Sequence, residues 1–301
     1  MANASENAAV IERPKTPPEQ AKPSISSRST LAIDELLALA PDITDSFVAF
    51  ALDLHKKLRE VGGSKNVLFS PFLVTGALIA LYRGATGRAA KHLAHLLHVG
   101  GVDVYKVVAY YALCHSRLFA SWPNHNRTGF SATHDLALIR DRSVDLLEEY
   151  VTALSPWCRM EPDFFEEDMG SSVVRMDLWI RALTAFAFRE YAVFGLPPIG
   201  NREQTLLVSI AVLFIKGRWR YRFETGYGTF RETSTKVKQV RVMRRVGLFR
   251  IGDCAGLDAT VLEIPYQDPS KSMVVFLPRM ERLATFEHSL TPATCCAAWP
   301  T

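Results

Sequence analysis

Cysteine is scarce in this sequence, and the number and spacing of the cysteines argue against both a disulfide-rich domain and a structural zinc site. The 301 residues hold five cysteines, an odd number without a C-x-x-C pair: Cys114, Cys158, Cys254, Cys295 and Cys296. That number is too low for a disulfide-rich domain, and the spacing does not fit a structural zinc site. We therefore expect neither a disulfide framework nor a zinc centre.

A strong excess of one charge sign and a long apolar run are also lacking. Thirty-five basic residues against 31 acidic ones leave a net charge of +4, which is too small to indicate a nucleic-acid partner. The longest nearly apolar run extends from Val67 to Tyr82 and is interrupted by Ser70, Pro71 and Thr75. A membrane-spanning helix needs about 20 predominantly apolar residues. We expect no nucleic-acid partner and no membrane span.

Motifs of catalysis and of cofactor binding are missing as well. The sequence has no G-x-S-x-G motif, no phosphate-binding loop and no dinucleotide fingerprint. His92, His95 and His98 lie three residues apart, but no carboxylate or cysteine lies near them in sequence, so we interpret them as surface histidines. Cys114 and His115 are adjacent, and on a strand they would point to opposite faces. We expect no enzyme, no cofactor and no metal.

The first 30 residues contain four prolines, five serines and no aromatic residue. Such a composition buries too little apolar surface to offset the entropy of ordering, so residues 1–44 are predicted to form a disordered tail. The tail shows no secretory signal, so the chain translated as given would be cytoplasmic. Asn126 heads an Asn-Arg-Thr glycosylation acceptor, which matters only if the chain is secreted.

Helical periodicity dominates the first half of the chain. Apolar residues recur at helical spacing from Phe47 to Leu58. In the following stretch Ser70 and Pro71 provide an N-cap and a first-turn proline for a buried helix, and Gly84 lies where a left-handed C-terminal cap is expected. Further helices are predicted over residues 87–99, 143–154 and 171–186.

Strand patterns dominate the second half. Residues 205–215 are continuously apolar and rich in β-branched side chains, which predicts a strand covered on both faces. Residues 236–243 alternate with period two, which indicates a half-exposed strand. Short strands are predicted over residues 114–120, 259–266 and 272–278. Helices followed by strands indicate an α+β fold.

One basic concentration lies in the second half and comprises Lys236, Lys238, Arg241, Arg244 and Arg245. A solvated strand face is the simpler interpretation of such a cluster. Contact with a polyanion such as heparin is the alternative.

Seven stretches, in the same order, resemble the serpin family. They span residues 46–299 and include AFALDLHKKLREVGGSKNVLFSPFLVTGALIALYRGATG, VLFIKGRWRYRFETGYGTF and ATVLEIPYQDPSKSMVVFLP. The resemblance implies a serpin-like α+β fold over residues 45–301, with a helical N-terminal half and mixed or antiparallel β-sheets in the C-terminal half.

Serpins are mostly serine protease inhibitors. The protease cuts a reactive loop, which inserts as an extra strand into the central sheet and traps the acylated enzyme. The resemblance implies a serine-type endopeptidase inhibitor in the extracellular space, with an unknown target protease as its partner. It also implies that Ser70 and Pro71 belong to the gate below the sheet, and that Lys216, Gly217 and Trp219 form the top of the central strand.

The chain departs from the family pattern at two gate positions and at its C-terminus. Leu73 replaces the second gate serine, and Ala211 replaces the gate asparagine. The resemblance ends at Trp299, and the reactive loop lies beyond this point in the family. We therefore expect a truncated, aggregation-prone serpin that is inactive as given, and a transcript that encodes the remainder. The alternative is a non-inhibitory serpin-like binding protein or a pseudogene product.

Overall fold

The computed structural model describes most of the chain in seven ranges. These are residues 40–63, 65–119, 129–141, 143–161, 207–232, 235–279 and 282–297, together with residues 38, 178, 180 and 181. Three predictions lie wholly or mostly outside the described residues: the N-terminal tail, the helix over 171–186 and the glycosylation acceptor Asn126. The predicted bound of the tail at residue 44 is wrong, because residues 40–44 belong to a helix and Ile43 is fully buried.

Helices form the first part of the described chain and return near its end. Their bounds are α1 Ala40–Gly62, α2 Pro71–Gly84, α3 Gly87–Leu96, α4 Val104–Phe119, α5 Glu148–Leu154, α6 Leu283–Ser289 and α7 Pro292–Ala297. No helix in these ranges is long and apolar enough to cross a membrane.

The strands of the described residues form three sheets. Their bounds are β1 Phe130–Arg140, β2 Arg159–Glu161, β3 Leu207–Gly217, β4 Glu224–Arg231, β5 Val237–Arg244, β6 Arg250–Cys254, β7 Ala259–Pro265 and β8 Ser272–Pro278. The central sheet has the order β2-β1-β3, β4 pairs with β5, and the third sheet has the order β6-β7-β8. β1 and β2 run parallel, and the other pairs are antiparallel. The α+β prediction is confirmed.

The main core lies between α2, α4 and the central sheet. Tyr111 of α4 is 1% exposed, stacks on Phe72 with ring centroids 4.6 Å apart and meets the edge of Trp157 at 4.7 Å. The Tyr111 hydroxyl donates a hydrogen bond to the carbonyl of Phe72 at 3.1 Å. This packing leaves no room for a side chain at Gly76, because a Cβ there would lie 2.3 Å from the Tyr111 hydroxyl.

The start of α2 follows the prediction from sequence, whereas its end does not. Ser70 is the N-cap, its hydroxyl accepts a hydrogen bond from the Leu73 amide at 3.4 Å, and Pro71 is the first helical residue. Gly84 is the last residue of the helix, and Ala85 after it is extended, so the left-handed cap is wrong. Gly84 is instead required by close packing, since a Cβ would lie 3.0 Å from the ring of Tyr150.

Two strand predictions need correction. Residues 114–119 are the last turns of α4, because the helix that begins at Val104 continues through them. Residues 207–217 do form a strand, but Ile215 is 53% exposed and Ala211 is also exposed, so β3 is not covered on both faces. The apolar composition predicted the strand correctly, whereas coverage depends on which elements pack against it.

Candidate functional site

The central sheet has an edge that bonds to no other strand within the described part of the chain. β3 pairs with β1 along its whole length, from Leu207 opposite Arg140 to Gly217 opposite Phe130, and it ends the order β2-β1-β3. In an antiparallel pair the backbone groups of alternate residues point toward the partner, and the others point away. Among the described strands none bonds to the outward backbone groups of β3, so a further extended segment could add at this edge.

The C-terminal end of β3 is locked by aromatic packing. A Cβ at Gly217 would lie 2.5 Å from ring atoms of Tyr266 and 3.0 Å from the ring of Phe130, so only glycine fits this position. Trp219 stacks on Tyr266 with ring centroids 4.6 Å apart and an interplanar angle of 8°. Lys216 lies opposite Ser131 in the register and is exposed. The structure thus brings Lys216, Gly217 and Trp219 together at one end of the strand.

The gate residues identified by resemblance lie at the N-terminus of α2, which packs against β3. Ser70 is engaged in capping the helix. Leu73 is 5% exposed, and its side chain has no polar group to offer a hydrogen bond. Ala211, on β3, faces solvent and is equally unable to donate one. The hydrogen bonds that a serine and an asparagine would supply at these positions are absent.

The basic residues predicted to bind a polyanion do not form one surface. Lys236 and Lys238 both form ion pairs with Glu232, at 3.1 and 2.7 Å. The register places Lys238 opposite Phe230 and Arg241 opposite Tyr227, so these two cations lie on opposite faces of the β4–β5 pair.

The other end of this cluster is also divided. Arg244 donates a hydrogen bond to the carbonyl of Tyr227 at 3.2 Å. Arg245 follows the strand and lines a depression together with Arg222. The cluster therefore remains a prediction, with its residues distributed over both faces.

The three spaced histidines do not converge either. His92 and His95 are exposed on α3, whereas His98 lies beyond the end of that helix with φ of 58°. The His98 Nε2 atom lies 2.8 Å from a carboxylate oxygen of Asp53. No group of three His, Cys, Asp or Glu side chains that could hold a metal was found among the described residues.

A histidine pair that sequence reasoning missed lies between α4 and the central sheet. The Nε2 atoms of His115 on α4 and His134 on β1 face each other in a hydrogen bond, with the ring of Phe119 packed against both. Burial lowers the pKa of His115, and burial together with the neighbouring imidazole lowers the pKa of His134 to about 4. The signal for this pair in the sequence is the helical period of apolar residues that begins at Val107. Continued to residue 119, that period places His115 one turn beyond Tyr111, on the buried side of the helix.

Comparison with known proteins identifies the family to which this chain is similar. Residues 45–300 match the family described as Serpin (serine protease inhibitor). The chain is 28% identical over 263 residues to Ipis-1 of Ixodes persulcatus, covering 83% of this chain and 65% of that protein. It is 28% identical over 239 residues to the leukocyte elastase inhibitor of Bos taurus, covering 76% of this chain and 59% of that protein.

Solved structures show the same fold. A tumour-suppressing serpin superposes with a TM-score of 0.72 at 23% identity, covering 85% of this chain and 69% of that one. Ovalbumin from emu (Dromaius novaehollandiae) superposes with a TM-score of 0.74 at 20% identity, covering 85% and 68%. The chain thus spans about 65% or less of the length of the two curated relatives above.

Proposed function

Because the chain belongs to the serpin family, we propose that it forms the central-sheet part of a serine-type endopeptidase inhibitor, in which β3 accepts a further strand along its outer edge. The observation that carries this proposal is the pairing of β3 with β1 on one side only, over eleven residues, among the described strands. A segment that adds to such an edge gains main-chain hydrogen bonds along its whole length.

The partner is a serine protease, and the names of the relatives suggest which to test first. Several are called leukocyte elastase inhibitor, so elastase is the first candidate, followed by trypsin and chymotrypsin. Serpins act on proteases as inhibitors and not as enzymes. The extracellular location is carried by the family resemblance alone and stays a prediction.

Two experiments test the proposal on the 301-residue chain. Hydrogen exchange read by NMR should show period-two protection along β3, with slow amides toward β1 and fast ones on the outer edge. Uniformly slow exchange in the isolated chain would mean that the edge is already occupied and would refute strand addition there. Since no residue of this chain is assigned to the reactive loop, we expect no SDS-stable complex with elastase, trypsin or chymotrypsin. Formation of such a complex would contradict that assignment and support inhibition by this chain itself.

A second candidate function is a non-inhibitory, serpin-like binding protein. The observation that favours it is the replacement of two gate residues by Leu73 and Ala211. Leu73 is buried within α2, so the local packing is built around an apolar side chain and not around a hydrogen-bonded serine. An extended peptide matched in length to β3 distinguishes the two candidates. In an inhibitor the peptide should slow hydrogen exchange of the amides on the outer edge of β3, whereas in a binding protein, which needs no strand addition, those amides should stay unprotected.

A further inference from the structure

The loop between β5 and β6 carries two apolar side chains that face solvent almost completely. It comprises residues 245–249, with the sequence RVGLF. Val246 is 96% exposed and Leu248 is 93% exposed. Side chains with such values have almost no neighbours, so neither of them packs in a core. We call residues 245–249 the apolar loop.

The apolar loop projects from a base that is held in place. Its last residue, Phe249, is partly buried. The ring of Phe249 meets the ring of Tyr221 edge-on, with centroids 5.9 Å apart, and lies 6.4 Å from the ring of Phe223. Strand pairing holds the chain on both sides, because β5 ends at Arg244 and β6 begins at Arg250. A partner that binds the loop therefore has little backbone to order.

Cations surround the two apolar side chains. Residues 233–252 contain six cations and no acidic residue. Arg244 and Arg250 flank the apolar loop, Arg245 is its first residue, and all three are exposed. Arg244 donates a hydrogen bond to a backbone carbonyl, which leaves its charge intact, whereas Arg250 lies 3.4 Å from the carboxylate of Glu263. The apolar side chains thus project from a positively charged surface.

A depression beside the apolar loop adds one more cation. Arg245 and Arg222 line this depression, which measures about 460 Å³, together with Phe223, Glu224 and Thr225. Two cations face one carboxylate in this lining, so the depression keeps an excess of positive charge. A guanidinium group binds phosphate oxygens through paired hydrogen bonds. An anionic headgroup can therefore be bound next to the apolar side chains.

From these observations we propose that the apolar loop docks on the surface of an anionic phospholipid bilayer. Val246 and Leu248 enter the boundary between headgroups and acyl chains, and the arginines lie at the level of the phosphates. Binding of this kind scales with the buried apolar area plus the attraction to anionic lipids, and each cation near the surface adds roughly fivefold in affinity. The site needs neither β3 nor the gate, so it goes beyond the proposed inhibitor function and is independent of it.

Two other occupants fit the apolar loop less well. A protein partner, including a second copy of this chain, usually buries about 800 Å² on each side, and two aliphatic side chains supply only a small part of that area. A soluble polyanion would use the arginines but would leave Val246 and Leu248 in water. A bilayer engages the apolar side chains and the cations together, and it adapts its shape to a projecting loop.

The first test removes the apolar side chains and keeps the charge. Val246→Ser/Leu248→Ser alters the apolar loop, and the control Val61→Ser/Leu68→Ser removes the same two residue types at positions that are 89% and 100% exposed. Binding is measured by co-sedimentation with vesicles of equimolar phosphatidylserine and phosphatidylcholine. We expect the loop variant to bind at least about tenfold more weakly and the control to stay within about threefold of the unmodified chain.

The second test removes charge and keeps the apolar side chains. Arg222→Gln/Arg245→Gln should bind the same vesicles roughly twentyfold more weakly, because two cations near the bilayer are lost. Lys56→Gln/Lys57→Gln on α1 removes the same charge from exposed side chains and should stay within about threefold. Vesicles of phosphatidylcholine alone should bind the unmodified chain more weakly than the mixed vesicles do.

Four outcomes would overturn the proposal. The unmodified chain could fail to bind the mixed vesicles, or the loop variants could lose no more than their controls. Loss in the arginine variant alone would mean that the contact is purely electrostatic, as with a soluble polyanion. Sedimentation velocity that shows a dimer only when Val246 and Leu248 are present would assign the loop to a second copy. Circular dichroism establishes that the variants are folded, and Leu248→Ser alone provides a second loop variant should the double one fail to fold.

Discussion

Acid should weaken the contact between α4 and the central sheet through the half-buried pair of His115 and His134. The imidazole rings lie 4.2 Å apart, centroid to centroid, at an interplanar angle of 77°. The Nδ1 atom of His134 is buried and has no hydrogen-bond partner. We assign the proton of His134 to Nε2, where it is donated to His115, because a buried lone pair costs less than a buried N–H without an acceptor.

The direction of the pH effect follows from the lowered pKa values. In the folded chain the pKa of His134 is about 4, against an ordinary value of 6.5 in the unfolded chain. Between these values the unfolded state binds more protons than the folded state, so the free energy of unfolding falls as the pH falls. The stabilising effect is complete above pH 6.5 and is lost progressively down to about pH 4. The lowered pKa of His115 acts in the same direction.

The magnitude can be worked from the size of this shift. A change from 6.5 to about 4 corresponds to about 3–4 kcal/mol at 1.4 kcal/mol per pH unit. His134 is partly exposed, so screening by water reduces the expected effect to about 2 kcal/mol. His134→Phe keeps an aromatic ring against Phe119 but cannot be protonated. Between pH 6.5 and pH 4 the free energy of unfolding of the variant should therefore fall by about 2 kcal/mol less than that of the unmodified chain.

Urea denaturation followed by tryptophan fluorescence at a series of pH values measures this difference. Carboxylates titrate over the same range in both proteins, so only the difference between the two curves is informative. His92→Gln removes an exposed imidazole on α3 and serves as the control variant. Parallel curves for His134→Phe and the unmodified chain would refute the reasoning, whatever their stabilities at pH 7.

Three further predictions follow from single features of the chain. Ser70→Ala should lower the free energy of unfolding by about 1 kcal/mol, because the capping hydrogen bond is lost. Thr86→Ala, at an N-cap whose side chain makes no such bond, should change it by a few tenths of that. Equal urea midpoints for the two variants would contradict this prediction. Gly217→Ala should cost about 1–3 kcal/mol because a Cβ meets the ring of Tyr266, while Gly226→Ala, with no atom within 4 Å of the added Cβ, serves as the control in thermal melts. Limited trypsin digestion followed by mass spectrometry should cut first within residues 1–30, and a resistant tail would count against the predicted disorder.

The features of the fold that could be predicted from sequence are those that depend on residues within one turn of each other. Ser70 and Pro71 were recognised as the start of a helix because a capping hydroxyl and a first-turn proline act within one turn of chain. The end of the same helix was predicted wrongly at Gly84. A glycine can be required by φ or by close packing, and the ring of Tyr150 that excludes a Cβ comes from a residue 66 positions away.

The strand predicted over residues 114–120 is wrong because seven residues are too few to show a helical period. Read alone, these residues have no clear period, whereas Val107, Val108 and Tyr111 before them form the buried side of a helix. Extending that period by four places His115 on the same side. The missed helix also concealed the histidine pair, since His115 and His134 approach each other only when one is on a helix and the other on β1.

The basic residues show most clearly what composition alone leaves undetermined. In the sequence the cluster from Lys236 to Arg245 places five cations within ten residues. The structure divides these cations by acidic partners and by strand faces: Glu232 neutralises one end of the cluster, and the pleat divides the rest. A polyanion site therefore has to be judged by which cations remain unpaired on one face, and neither property can be read from composition.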